Sequence, residues 1–247
     1  MTGYATTCGT GAYYTAEGHL IMLPKRWLGD GTVRGVLFMH GATGNETQMV
    51  DNTNFPGLRS ILAAVAMAGY PVLGVYAGGD TWGNATAQAR MDDAKTYLQG
   101  TVGAKSGTVA IIGGSMGGLA AQNWAKANPA STACIVGLVP VSDLNDIKTA
   151  NRGGLAASVN AAYGGSYVEA THGATYNPHT YAATGLAGIP YKAWYGASDT
   201  IVLPSTVTDV CTAAGASATA VSVTGAHDTA LNNIPIADVV SFIGAHA

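Results

Sequence analysis

A glycine-flanked serine stands where the sequence changes from one pattern of secondary structure to another. Residues 108–112 form an apolar run typical of a β-strand, and residues 119–126 have the pattern of a helix. Between them lies GGSMG at residues 113–117, a G-x-S-x-G motif. Its outer glycines have no Cβ, so a strand and a helix can approach closely on either side of a sharp turn. We predict that this turn presents Ser115 as a nucleophile; the alternative is a glycine-rich turn in which Ser115 only caps the helix.

The rest of the chain alternates between short apolar runs and amphipathic segments. Such alternation is typical of parallel strands joined by helices. We therefore predict an α/β fold, with a mostly parallel central sheet and helices on both faces, in a single domain over residues 1–247. The predicted strands are 12–15 and 19–23 (a hairpin), 33–39, 72–76, 108–112, 133–139, 191–195 and 219–223, and the predicted helices are 58–68, 85–98, 119–127, 205–214 and 236–245.

The alternation breaks between residues 142 and 188, after the sixth predicted strand. This stretch contains glycine pairs, scattered aromatic residues, His172 and His179. It is too long for a simple connection, and long insertions of this kind are usually lids or binding loops. We predict an irregular, lid-like insertion.

The charge of the chain limits its partners. Charged residues make up 10% of the sequence, compared with about 25% in typical domains, and the formal net charge is −3. Lys and Arg are not clustered, which argues against nucleic acid or an anionic membrane surface as a partner. No apolar run approaches the roughly 18 residues of a membrane span.

The first residues lack a basic segment followed by an apolar one. We expect either a cytoplasmic protein, one released by a non-classical or phage-borne route, or one whose leader has been removed. The localisation and the oligomeric state stay open.

The sequence contains no metal or cofactor motif. Cys8, Cys134 and Cys211 are not spaced as metal ligands, and neither are His172 and His179. H-E-x-x-H, C-x-x-C, G-x-G-x-x-G and Walker A motifs are all missing. We expect no metal and no cofactor, a buried thiol at Cys134, and leave open whether Cys8 pairs with Cys211.

Two strand ends downstream of Ser115 carry residue types that activate a serine. Asp199 and His227 each follow a predicted strand, and open α/β sheets place their active sites at the carboxyl ends of strands. Taken alone, Asp199 is an ordinary turn residue and His227 a solvated loop histidine, but serine, acid and histidine stand in the expected order. Asp143, after another predicted strand, is a second candidate for the acid; we favour Asp199.

Residues 40–44, HGATG, follow the predicted strand that precedes the first long helix. A glycine there lets the backbone turn an N–H group towards a substrate oxygen. We predict that the N–H groups of Ala42 and Met116 form an oxyanion hole. His40 is expected to be structural and to support this loop.

These motifs together resemble those of the α/β-hydrolase superfamily, and the resemblance covers nearly the whole chain. YGASDTIV at residues 195–202 and GAH at 225–227 are similar to the acid and histidine segments of its esterase and dienelactone-hydrolase-like branches. The chain lacks the full H-G-G-G run of one lipase group. The resemblance implies Ser-His-Asp acyl transfer without a cofactor. Residues 80–84 resemble a loop that lines the pocket in such enzymes, which implies that Trp82 contacts the substrate.

The expected substrate is an uncharged carboxylic ester, either a small molecule or carried on a polymer. No basic residue lies in the predicted catalytic loops, and a buried substrate anion would need one; Lys148, Arg152 and Lys192 are the first candidates. Two alternatives stay open: a serine peptidase or amidase of the same fold, and a non-catalytic recognition domain of a larger assembly such as a phage particle. The expected substrate-binding residues are Thr43, Trp82, Met116, Tyr163, Tyr167 and Tyr176.

Overall fold

The computed structural model describes residues 3–5, 11–15 and 18–246, and within them nine strands form one sheet. The spatial order is β1-β2-β3-β5-β4-β6-β7-β8-β9. The first three strands pair antiparallel, β3 also lies antiparallel to β5, and all pairs among β4 to β9 are parallel. The predicted mostly parallel sheet is confirmed. The strands are β1 (Gly3–Ala5), β2 (Gly11–Tyr14), β3 (Leu20–Met22), β4 (Val36–Met39), β5 (Val72–Gly74), β6 (Val109–Gly114), β7 (Thr132–Leu138), β8 (Tyr191–Gly196) and β9 (Ala218–Val223).

Helices cover both faces of this sheet. The alternating side chains of β6 show why, because all six of its residues are buried. Val109 and Ile111 pack into a cluster with the second, third and eighth helices, whereas Ala110 and Ile112 pack into a cluster with the first and tenth. The helices are α1 (Pro56–Met67), α2 (Ala85–Gly100), α3 (Met116–Ala127), α4 (Leu144–Thr149), α5 (Ala156–Ala162), α6 (Glu169–Tyr176), α7 (Pro178–Gly185), α8 (Pro204–Ala214), α9 (His227–Ala230) and α10 (Ile236–His246).

The predicted irregular stretch at residues 142–188 is largely helical, which corrects the sequence interpretation. It contains α4 to α7 and a 3₁₀ turn at Arg152–Gly154. These helices are only six to eight residues long, so none spans enough turns to display a clear 3.6-residue period. Val159, Tyr167 and Tyr181 are buried in the same cluster as α2 and α3, so this stretch supplies part of the core.

The N-terminal hairpin is present, with β2 paired to β3 in a register that places Ala12 opposite Met22. Cys134 is fully buried, and burial raises the pKa of its thiol to about 12. Cys211 is also buried. Cys8 lies outside the described residues, so its pairing with Cys211 stays an open prediction. Among the described helices, none is long and apolar enough to cross a membrane.

Candidate active site

Ser115 lies on a sharp turn between β6 and α3. Its backbone has φ 49° and ψ −116°, a left-handed region that residues with a Cβ rarely adopt. Its N–H donates to the carbonyl of Leu138, 3.0 Å away, which ties the turn to β7. Ser115 occupies the N-cap position of α3, yet its side chain makes no capping hydrogen bond. The hydroxyl is therefore available for another partner, unlike in the capping alternative.

The two outer glycines of the motif are required by close packing. A Cβ on Gly117 would lie 2.0 Å from the carbonyl oxygen of Met39, and one on Gly113 would lie 2.3 Å from that of Gly117. Both distances are shorter than any van der Waals contact. The motif thus lets α3 pass directly over the ends of β4 and β6.

Gly117→Ala is expected to destabilise the protein by about 1–3 kcal/mol, because the backbone of β4 must move to admit the methyl group. Gly114→Ala is the matched control, since a Cβ there meets no atom within 4 Å. The free energy of unfolding from urea denaturation measures both. Equal stability of the two variants would contradict this account of the motif.

The structure brings Ser115, His227 and Asp199 into one chain of hydrogen bonds. His227 Nε2 lies 2.8 Å from Ser115 Oγ, and His227 Nδ1 lies 2.7 Å from Asp199 Oδ2. With Nδ1–H donating to the carboxylate, Nε2 is left to accept the serine proton. Their catalytic role stays a prediction, but the geometry is the one that role requires.

Each partner of the serine is fixed by its own segment. Asp199 follows β8 and is 3% exposed, and its Oδ1 accepts the N–H groups of Ile201 and Val202, each at 2.9 Å. These bonds leave Oδ2 for the imidazole. His227 begins the short helix α9 instead of lying in a loop, a detail that four residues without a period could not reveal in the sequence.

Asp143, the second candidate for the acid, caps a helix. Its Oδ1 accepts the N–H groups of Asn145 and Asp146, so it caps α4, and it also accepts from the side chain of Asn177. Its Oδ2 lies 3.7 Å from His179 Nδ1. Asp199, and not Asp143, contacts the imidazole beside Ser115.

The loop at residues 41–43 passes beside the serine. A Cβ on Gly41 would lie 3.5 Å from Ser115 Cβ. In the described part of the chain, the N–H groups of Ala42 and Met116 donate to no protein acceptor. Unpaired N–H groups at these two positions are what the oxyanion prediction requires. His40 is fully buried, its Nδ1 contacts the carbonyl of Gly41 at 2.8 Å, and burial lowers the pKa of its imidazole.

A cavity of about 260 Å³ opens at Ser115. Thr43, predicted as a substrate contact, lies in its wall, and so do Gln48, His227 and Asp228. Most of the remaining lining is apolar, and the sequence did not predict it. An apolar lining residue has the same sequence pattern as a core residue unless it is known which elements meet. The apolar lining residues are Phe55, Leu58, Val139, Leu155, Ile201 and Leu231.

The predicted aromatic walls lie elsewhere, which corrects a second expectation. Trp82 is fully buried and donates its Nε1–H to Ser158 Oγ at 2.8 Å. Tyr163 donates its hydroxyl to the carbonyl of Trp82 at 2.9 Å and packs its ring against Tyr167 and Tyr176. Trp82 and Tyr167 are buried in the core, where large rings with an internal hydrogen-bond partner are stabilised, and Tyr163 is half-buried against it. Tyr176 is half-buried, and none of these four residues lines the cavity.

Three further predicted residues also lie away from the cavity. The side chain of Met116 is buried in the core, so only its backbone N–H concerns the site. Arg152 pairs with Asp146 at 3.0 Å, and Lys192 pairs with Asp238 at 2.7 Å.

Lys148 also does not line the cavity. Across residues 18–246 and the two short N-terminal strands, no cluster of three or more His, Cys, Asp or Glu residues is arranged to hold a metal ion.

Comparison with known proteins finds likeness in structure alone. No protein-family model and no curated protein sequence matches this chain. Among solved structures, the fluorophosphonate-binding serine hydrolase FphF of Staphylococcus aureus has a TM-score of 0.72 at 15% identity, over 98% of this chain and 99% of that one. A truncated carbohydrate esterase from gut microbiota has a TM-score of 0.72 at 13% identity, over 99% of each chain. An S-formylglutathione hydrolase from Agrobacterium tumefaciens has a TM-score of 0.63 at 13% identity, over 100% of this chain and 97% of that one.

These similarities establish the fold. The chain has the α/β-hydrolase fold, as the sequence resemblance predicted. Structural likeness at such low identity does not carry activity with it, so the chemistry must be argued from the residues of this chain.

Proposed function

We propose that this chain is a serine hydrolase that cleaves carboxylic esters through an acyl-enzyme intermediate. The observation that carries the proposal is the continuous hydrogen-bond chain from Ser115 Oγ through the His227 imidazole to the buried Asp199 carboxylate, with contacts of 2.8 and 2.7 Å. A serine hydroxyl is a weak nucleophile unless a base removes its proton and a third group orients that base. We assign these three roles to Ser115, His227 and Asp199.

The proposed reaction has two halves. Ser115 Oγ attacks the ester carbonyl while His227 Nε2 takes its proton, and the N–H groups of Ala42 and Met116 stabilise the oxyanion that forms. The tetrahedral intermediate then expels the alcohol, which receives the proton from Nε2. A water molecule repeats the sequence on the acyl-enzyme and releases the acid. The N-terminus of α3, which begins at Met116, adds a favourable dipole for the negative charge.

The cavity favours an uncharged substrate of modest size. Its volume of about 260 Å³ lies just below the range of roughly 300–1,000 Å³ usual for ligand pockets. Its lining contains no Lys or Arg, and the exposed Asp228 is one of the lining residues. A substrate anion would therefore be desolvated without a partner and repelled by Asp228.

The two alternatives are less well supported. A peptidase or amidase must protonate a leaving amine and usually binds the N-terminus or an extended stretch of a peptide. The lining contains a single carboxylate residue, Asp228, and no acidic pair suited to binding an amine. A non-catalytic recognition domain would have no need for a serine hydroxyl held against a histidine that is itself held by a buried carboxylate.

A fluorophosphonate probe tests the proposal directly, because it labels only an activated serine. Labelling of the wild-type chain, together with hydrolysis of p-nitrophenyl esters of graded acyl length, is the expected result. A folded wild-type chain that is neither labelled nor active on any ester would contradict the proposal. Faster cleavage of matched anilides than of esters would favour the amidase alternative.

Neutral esters are expected to be cleaved with a kcat/KM at least about tenfold higher than anionic esters of the same size, a difference of about 1.4 kcal/mol in transition-state binding. Asp228→Asn removes the carboxylate of a lining residue and should bring the kcat/KM values for the neutral and anionic esters closer together. Initial rates on paired esters with and without a terminal carboxylate provide the measurement. Preference for the anionic ester would reveal a basic anchor outside the described lining.

A further inference from the structure

Three consecutive backbone N–H groups of the loop beside Ser115 differ in their hydrogen bonding. The N–H of Gly41 donates to Gln48 Oε1 at 2.9 Å, and the N–H of Thr43 donates to Asp80 Oδ1 at 2.7 Å. The N–H of Ala42, between them, donates to no acceptor in the described part of the chain. Two side chains thus bind the outer groups and leave the middle one unbound next to the serine.

The conformation of this loop needs such support. Thr43 has φ 60°, in the left-handed region, where a β-branched residue is unfavourable. Strained residues of this kind persist only where surrounding contacts hold them. The Asp80 side chain supplies that contact, because its Oδ1 accepts the N–H of Thr43 itself.

Both anchoring side chains are themselves fixed. Asp80 Oδ2 accepts the hydroxyl proton of Ser158 at 2.8 Å, and Ser158 Oγ in turn accepts from the buried indole of Trp82 at 2.8 Å. Gln48 is 7% exposed and fills the space over Gly44, where a Cβ would lie 2.0 Å from its amide nitrogen. Neither anchor is free to change rotamer without breaking other contacts.

We propose that Asp80 and Gln48 are positioning residues that hold the loop so that the Ala42 N–H faces the carbonyl oxygen of a substrate bound at Ser115. Asp80 acts through Thr43 and does not line the cavity itself. The inference rests on the proposed ester hydrolysis, because an oxyanion forms only if the serine attacks a carbonyl.

Asp80→Ala tests this inference. Complete removal of one oxyanion donor typically lowers kcat by 10²–10³-fold, so a displaced donor should lower it by about 10- to 100-fold. KM should change less than about threefold, because a donor that acts on the oxyanion contributes mainly to the transition state. The pH midpoint of kcat should stay where it is, since the bonds of His227 are untouched.

Two variants separate this role from a general loss of structure. Asp80→Asn keeps an oxygen acceptor for the Thr43 N–H and should retain kcat within about threefold of wild type. Ser158→Ala breaks the contact that fixes the other Asp80 oxygen but leaves the Thr43 bond, and should lower kcat by less than Asp80→Ala does. If Asp80→Ala does not fold, Gln48→Met, which keeps the shape but loses the acceptor for the Gly41 N–H, should show the same loss of kcat.

The outcomes are distinguishable. An active wild-type chain with an unchanged kcat in a folded Asp80→Ala or Gln48→Met variant would overturn the positioning role and leave the proposed function intact. A rise in KM alone, or an Asp80→Asn variant as impaired as Asp80→Ala, would also overturn it. A wild-type chain without ester hydrolysis would overturn both the proposed function and this inference.

Discussion

Ser115→Ala is expected to lower kcat for ester hydrolysis by about 10⁴-fold or more and to abolish labelling by a fluorophosphonate probe. The substitution removes the atom that we propose forms the covalent bond, so only the contribution of the proposed oxyanion donors and of substrate binding would remain. The fold should be kept, because the backbone bonds of Ser115 to Leu138, Gly118 and Val141 do not involve its hydroxyl. Steady-state kinetics and a thermal unfolding curve of the same preparation check both parts.

Ser205→Ala provides the control for this experiment. Ser205 is exposed at the start of α8 and outside the cavity, so the variant should be labelled and should turn over as the wild type does. Turnover of Ser115→Ala at a rate close to wild type would show that another group performs the attack, and would refute the assignment of the nucleophile.

The fold was predictable because its buried strands have a simple signature. In β6 and β7, nearly every residue is buried on one face or the other, which produces continuous apolar runs, and the glycines after β6 mark where the chain must turn closely. The helices α1, α2, α8 and α10 are long enough for their periodicity to be read. The stretch from α4 to α7 is not, because each helix is too short and its burial depends on distant partners.

The candidate site was predictable only in its polar part. Ser115, Asp199 and His227 stand at strand ends in the order serine, acid, histidine, and topology alone brings strand ends together. The apolar cavity wall follows no such rule. Phe55, at the entry to α1, and Leu231, after α9, meet in space although 176 positions separate them, and nothing local marks either as lining instead of core.

Aromatic residues that the sequence predicted as cavity lining lie elsewhere in the structure. Trp82 and Tyr163 are the large amphipathic rings that binding pockets favour, but neither lines the cavity. Trp82 is fully buried, and the half-buried Tyr163 donates its hydroxyl to the carbonyl of Trp82. Their contribution to the chemistry is therefore indirect. Trp82 supports Ser158, which supports Asp80, and that carboxylate holds the loop beside the nucleophile.

Asp199→Asn is expected to lower kcat by about 10³- to 10⁴-fold. Asparagine keeps its amide oxygen on the N–H groups of Ile201 and Val202, so its NH2 group faces His227 Nδ1 and donates to it. An acceptor Nδ1 favours the imidazole tautomer whose proton lies on Nε2 and faces the serine. That tautomer cannot accept the proton of Ser115. The charge that stabilises the imidazolium in the transition state is lost as well.

The comparison with Asp143→Asn makes this prediction specific. Asp143 caps α4 through its Oδ1, and asparagine is an equally good N-cap, so this variant should fold and keep kcat within a few-fold of wild type. Both substitutions remove one carboxylate from a loop that follows a parallel strand, and only one of those carboxylates contacts the imidazole. Measuring kcat for both variants on the same neutral ester decides between them: a larger loss in Asp143→Asn would mean that the histidine is oriented by a different acid during turnover from the one 2.7 Å away in this structure.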